Sequence, residues 1–284
     1  MMNYESEYKV LQPNNDLTKR KGYWDLAKGL QKTDGLDTSE YLETVIAATL
    51  SGEYGISDAK AALERHYAGV TYNCPNADEM EADIVASRIV EMLEVDDFKF
   101  SPIMLKSIHK KLFHDVLPYK WVGQWRTENI IKDQEILNGR TVNYANFDEI
   151  EDFLTHDFAL EKNAHYSFPF DSEQIDRLIN FTSAVWQTHP FREGNTRTVS
   201  TFLIKYLKSM GVEVTNEPFI EHSAWFRDAL VRHNYANVPM GVHPEAKYIT
   251  MFFENILLDA DHDLASFNLE CRTLFEPRNQ DKCN

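Results

Sequence analysis

Apolar residues recur with a helical period along most of this chain, and only one stretch argues for strand. From Thr198 to Lys208, Val199, Phe202, Leu203, Tyr206 and Leu207 fall on one helical face, and Gly211 follows as a stop signal. The preceding segment opens on Asp171 with Gln174 three residues on, an N-cap and its capping-box partner. It continues through Ile175, Leu178, Ile179, Thr182, Val185 and Trp186 on one side. Further helices are expected over 78–93, where Val85, Ile89, Met92 and Leu93 align, and over 101–114, where Ser101-Pro102 supplies a cap and a first-turn proline. Residues 221–236 and 245–258 read as helices too. Between Trp125 and Ala145, β-branched and aromatic residues surround Asn138-Gly139, a tight-turn dipeptide, so a short hairpin is expected there. The fold class is all-α with one small hairpin. The expected organisation is an N-terminal helical segment over 1–95, a core over 96–215, C-terminal helices over 216–275 and a tail over 276–284, with loose ends before about residue 16 and beyond about 276.

The 284 residues are enough to bury a substantial core, and 43% hydrophobic with 12% aromatic residues is a globular composition. A formal net charge of −16 repels phosphate backbones and anionic lipid, which argues against nucleic acid and membrane as partners. A local basic pocket could still hold a small phosphate ligand. Cys74, Cys271 and Cys283 are odd in number and far apart, fitting neither a disulfide framework nor a zinc knuckle and implying a reducing compartment. With no leader and no spanning segment legible, the expected location is cytoplasmic.

Between the two clearest helices lies HPFREGNTRT, residues 189–198. Polar residues and a glycine interrupt two apolar faces, so this is a loop feeding a helix N-terminus, where unpaired N–H groups and the helix dipole favour phosphate. Gly194 lets backbone approach a ligand, Asn195 can donate to a phosphate oxygen, and Arg197 offers a planar fork. Glu193 is the loop's one carboxylate, a hard oxygen ligand suited to Mg²⁺ beside phosphates. His189 stands where a general base could take a proton from an incoming hydroxyl, and Phe191 anchors the loop in the core. Each residue alone is an ordinary turn or core feature. A base, a metal ligand and a phosphate cradle together describe hydroxyl attack on a nucleotide.

HPFREGNTR resembles the Fic family signature H-x-F-x-[DE]-G-N-G-R-x-x-R, and residues 108–130, IHKKLFHDVLPYKWVGQWRTENI, resemble the family's helix and Gly-x-[aromatic]-Arg stretch. The likeness covers about residues 100–210. It implies a Fic-type helical fold with a hairpin flap and an N-terminal helical regulatory segment. It implies transfer of AMP from ATP to a Ser, Thr or Tyr hydroxyl of a protein, the chain itself included, with pyrophosphate released. By this resemblance His189 is the base, Glu193 holds Mg²⁺, and Gly194, Asn195 and Arg197 form the anion hole. Thr196 and Ser200 fill the remaining phosphate-facing positions. The flap, Ile136, Leu137, Asn138, Gly139, Arg140 and Thr141, would pair with the target segment by β-augmentation. Phe226, Leu230 and Asn234 are candidates for packing the nucleotide base. Partners implied are ATP, a target protein and, as an option, further copies of the chain.

Two positions depart from the signature. Thr196 replaces the usual glycine, and Ser200 stands where a second arginine would grip the γ-phosphate, which opens the alternatives of another nucleotide donor or a catalytically silent interaction module. The family's inhibitory pattern [ST]-x-x-x-E-[GN] is matched over five positions by Thr49 to Glu53, with Tyr54 breaking the last, and partially by Ser266 to Glu270. With Ser200 uncharged, Glu53 lacks its expected partner, so inhibition through it is expected to be weak or absent. Asp259, Asp261, Asp263 and Glu270 mimic the spacing of a calcium loop, but Leu264 occupies the position that needs glycine, and an acidic helix end is the better reading.

Overall fold

Ser101 and Asp171 each start a helix by the local chemistry expected of them. The Ser101 hydroxyl accepts the Met104 N–H at 3.1 Å, with Pro102 at the first helical position. Asp171 and Gln174 form a reciprocal capping box at 2.8 and 3.1 Å. The structure, a computed structural model, describes residues 15–275 apart from 213, 215 and 216. The ends expected to be loose fall almost wholly outside the described residues, as does Cys283.

Among the described residues, eleven α-helices run in the order α1 (Asn15–Gln31), α2 (Glu40–Ser51), α3 (Ile56–His66), α4 (Ala77–Glu94), α5 (Pro102–Phe113), α6 (Ile150–Lys162), α7 (Ser172–Thr188), α8 (Asn195–Ser209), α9 (Glu217–Glu221), α10 (Ser223–Asn234) and α11 (Lys247–Leu257). Helix α8 is central. Its residues from Asn195 to Leu207 are all buried, and it packs on α5 and α7. Helix α1 lies along α4 and α9, and Tyr23, Ala27, Leu26 and Leu30 bury its apolar face at i, i+4 spacing. It runs so close to α9 that a Cβ on Gly29 would sit 2.4 Å from the carbonyl oxygens of Phe219 and Ile220. A 3-10 turn, Lys32–Asp34, follows α1 and lies against both α8 and α10. One cluster of buried apolar residues runs from Tyr23 to Leu274, so N-terminal, central and C-terminal helices share a single core.

The fold is all-α, as the periodicity implies, with one correction. The expected hairpin is a single antiparallel bridge, Gln134 to Arg140, closed over the 3-10 turn Glu135–Leu137, with Asn138 and Gly139 both left-handed. Ladder pairing gives way because Ile136 and Leu137 are buried in the core rather than alternating between two faces. The tip is also tied to the C-terminal segment. The Ile136 carbonyl accepts the Cys271 N–H at 2.8 Å, and the Asn138 amide donates to the Leu274 carbonyl at 2.9 Å. Among the described residues no helix is long and apolar enough to cross a membrane.

Candidate active site

Helix α7 ends at His189, whose left-handed backbone (φ 48°) turns the chain into the loop. Carbonyl groups fix the ring. Nδ1 lies 3.1 Å from the Trp186 carbonyl, which can only accept, so Nδ1 carries the proton and Nε2 is the bare nitrogen. Tyr144 covers the ring at 4.2 Å between centroids. Burial, reinforced by Lys132, pushes the imidazole down to about 3, so it is neutral at pH 7.

Arg126 holds the loop from outside. It donates to the carbonyls of His189 (2.8 Å), Thr188 (3.3 Å), Glu128 (2.8 Å) and Ala145, while its own N–H donates to the Pro190 carbonyl at 2.8 Å. Phe191 is fully buried and stacks on His109 at 3.9 Å. His109 bridges loop and scaffold. Its Nδ1 accepts the Gly123 N–H at 2.9 Å and its Nε2–H donates to the Glu193 carbonyl at 3.0 Å. Burial holds it at about 4. Gly194 caps α8 at φ 72°, and a Cβ there would lie 2.4 Å from the Phe113 ring, so both conformation and space demand glycine.

Several side chains depart, by plain geometry, from the roles that residue type and spacing suggest. The Asn195 amide is turned to its own loop. It clasps the backbone of Phe191, accepting its N–H at 2.9 Å and donating to its carbonyl at 2.8 Å. Arg197 is buried and engaged by acids, with Nε 2.8 Å from Asp34, Nη2 2.5 Å from Glu81, and Nη1 donating to Gln31 at 3.1 Å. Its guanidinium also stacks over Phe113. Thr196 turns its hydroxyl to the Trp186 indole at 3.0 Å, so its extra carbons are absorbed between α7 and α8. Ser200 is fully buried, and its hydroxyl has no hydrogen-bond partner among the described residues. Asn234 ties α10 to α7 through Ser183 at 2.8 Å, and Phe226 and Leu230 are core residues. The buried Ile136 side chain and its engaged carbonyl leave the flap tip little free edge for strand pairing.

The loop runs on from His189 through the exposed Glu193 carboxylate to the buried first turn of α8, whose leading amides have no intrahelical acceptor. That carboxylate makes no hydrogen bond or ion pair among the described residues. Loss of surrounding water pushes it above the usual range, Lys132 pulls it down, and Asp34 and Glu81 push it up again. Glu193 therefore offers a single exposed hard-oxygen donor, of the kind a divalent cation takes beside phosphates.

Glu53 is exposed just beyond α2, which packs on α3 and α1, and it forms no ion pair among the described residues; Thr49 is buried and accepts the Trp24 indole N–H at 3.0 Å. The acids that do reach the signature arginine, Asp34 and Glu81, belong to no motif, and no signal in the sequence marks them. In the acidic stretch after α11, Asp263 accepts the Ser266 N–H at 3.1 Å as a turn cap.

The Fic/DOC family profile matches residues 99–207. The chain is 32% identical over 116 residues to protein adenylyltransferase VbhT of Bartonella schoenbuchensis, covering 41% of this chain and only 23% of that protein. It is 31% identical over 158 residues to the probable protein adenylyltransferase y4lH of Sinorhizobium fredii, covering 55% of this chain and 75% of that one. A solved Fic-domain-containing signaling protein from Bacteroides thetaiotaomicron superposes over 94% of this chain and 90% of its own with a TM-score of 0.51 at 15% identity, a likeness of fold. On sequence and fold together, this chain belongs to the Fic/DOC family.

Proposed function

We propose that the chain is a protein adenylyltransferase. In this reading a Ser, Thr or Tyr hydroxyl of a target protein, or of the chain itself, attacks the α-phosphorus of ATP. The new bond is the phosphodiester O–P bond. The bond that breaks joins the α-phosphorus to the bridging oxygen, and pyrophosphate leaves with that electron pair. The hydroxyl proton passes to Nε2 of His189. Mg²⁺ held by Glu193 would supply charge neutralisation of the phosphates.

The observation that carries this reading is the fixed tautomer of His189. The Trp186 carbonyl holds Nδ1–H, and Arg126 holds the residue's own carbonyl, so a bare, neutral Nε2 is presented at a loop whose next element is a helix N-terminus. The names of the two relatives agree in reaction class. A second reading draws on Arg197: with its donors occupied by Asp34, Glu81 and Gln31 and no charge at Ser200, a different donor nucleotide or a silent interaction module also fits.

The test is to incubate the protein with Mg²⁺ and each of ATP, GTP, UTP and CTP, then record intact mass. An added AMP that disappears in His189→Ala is the expected result. A UMP or GMP adduct selects another donor. Label that survives His189→Ala overturns the assigned base, and no adduct with any nucleotide or lysate protein favours the silent module.

A further inference from the structure

A trench runs along α6 and α7 from beside His189. Its near end is a cavity of about 350 Å³ bordered by Tyr144, Phe153, Asp157 and Thr188. The Tyr144 ring is the one that covers His189 at 4.2 Å, and Thr188 is the residue before that histidine. The far end is a cavity of about 530 Å³ that reaches Leu160, Glu173 and Asp176. Asp157 and Ala184 border both cavities, so the two join. Helix register builds the walls. Phe153, Asp157 and Leu160 stand at i, i+4 and i+7 on α6, and Glu173 and Asp176 at i and i+3 on α7, which packs beside it.

The lining is acidic and apolar at once. Glu149, Asp157, Glu161, Glu173 and Asp176 border it, and among the described residues the cation on its wall is Arg177. Two of these acids are answered within the fold. Glu149 accepts the Asn146 amide at 2.7 Å. Glu161, itself buried, accepts the hydroxyls of Tyr166 and Tyr206 at 2.6 and 2.9 Å, with Arg177 Nε 3.8 Å away. The carboxylates of Asp157, Glu173 and Asp176 make no hydrogen bond or ion pair among the described residues. Asp157 is half-buried, and the loss of water pushes its carboxyl above the usual range. Phe153 and Leu160 remain exposed beside it.

An unanswered carboxylate part-way out of water and bare apolar side chains next to it both cost free energy. One kind of partner relieves both, bringing cationic and apolar groups together. Phosphate and anionic lipid are repelled here, and a second copy of the same face would set these acids against themselves. The flap tip has little free edge, since its Ile136 carbonyl is engaged, so a target needs a hold elsewhere.

We propose that the trench between α6 and α7 receives the target protein as a basic segment, with lysine or arginine opposite Asp157 and Asp176 and an apolar side chain against Phe153 or Leu160. This deepens the adenylyl-transfer reading and rests on it for the role of the segment as acceptor. From Thr188 back to Glu173 the helix rises about 22 Å, the length of roughly seven extended residues. The hydroxyl at His189 and the basic cluster therefore belong to one short stretch of the target.

Peptides randomised around a fixed Ser, Thr or Tyr, panned on the immobilised full chain, test this. The parent is expected to enrich Lys and Arg beside a large apolar residue, and the double variant Asp157→Lys, Asp176→Lys to lose that enrichment. The most enriched peptide, labelled with fluorescein, should bind Asp157→Asn roughly tenfold more weakly in anisotropy titrations, the loss of a charge-assisted contact. Asp157→Glu should recover most of the loss. The melting temperature of Asp157→Asn should hold or rise, because an unanswered carboxylate has been removed. Weaker binding with a lowered melting temperature means a structural role and overturns the trench. No enrichment by the parent, or the same enrichment by parent and double variant, also overturns it. A parent dimer that Phe153→Ser dissolves, without peptide enrichment, assigns the face to a second copy instead. Charge-dependent binding with no AMP added to the peptide from MgATP keeps the trench and removes the transfer reading. AMP added equally to basic and acidic peptides keeps transfer and removes the trench.

Discussion

Acid should loosen the active loop through His109 and His189. Both rings are buried and neutral in the fold, at about 4 and about 3 against 6.5 when unperturbed. The sign follows from proton counting. Below pH 6.5 the unfolded chain takes up protons that the folded rings refuse, so stability is full above 6.5 and falls as pH drops towards the folded values. Between pH 7 and 5.5 each ring should remove about 1.2 kcal/mol, or about 2.5 kcal/mol for the pair. The structural reason is clearest at His109, where Nδ1 accepts from Gly123 and cannot be protonated without losing that bond. Urea unfolding of the parent and His109→Gln at pH 7.0 and 5.5, followed by tryptophan fluorescence, isolates one ring. Glutamine keeps a donor and an acceptor but does not titrate, and other ionisable groups cancel in the difference. The variant should lose about 1 kcal/mol less than the parent over this interval. Parallel losses, equal within about 0.3 kcal/mol, would refute the reasoning.

Gly194→Ala combines left-handed backbone with a Cβ placed against Phe113, and should destabilise by about 3 kcal/mol in the same unfolding assay. Arg126→Lys loses the fork that spans four carbonyls; AMP incorporation should fall at least tenfold with a stability loss of roughly 2–4 kcal/mol. Glu53→Gly should leave self-labelling within about twofold of the parent, since an exposed side chain without an ion pair among the described residues has little to release; a tenfold rise would return Glu53 to a regulatory role.

Helices α4, α5, α7 and α8 were legible because each carries a local signal. Capping residues start α5 and α7, and apolar periodicity fixes α4, α7 and α8 to within a few residues. The loop, too, was legible as a constellation, because its residue types are adjacent in sequence. The individual roles were less so. Asn195 reads as a phosphate donor until its partner, the backbone of Phe191, is seen, and nothing in a residue list distinguishes those two uses of an amide. Helix α6 carries no cap signal, its N-cap Glu149 making no side-chain cap bond. Asp34, Glu81 and Lys132 come from three elements up to 98 positions apart, and their meeting depends on how the turn after α1, α4 and the flap loop surround α8. Long-range charge pairing of that kind has no signature in a single sequence. The His109 ring could have been flagged, since it stands on the helix face that also buries Leu105, Leu112 and Phe113.

The stretch shared with relatives, residues 99–207, contains Arg197 but not its acids, which arrive from positions 34 and 81. It likewise contains Lys205, whose ammonium is met by the carbonyls of Met92 and Val95. Excised alone, that stretch would lose the acids and carbonyls that hold these two embedded cations, and each would have to leave its buried position to regain water. The leading third of this chain is thus the counter-charge of its residues 99–207.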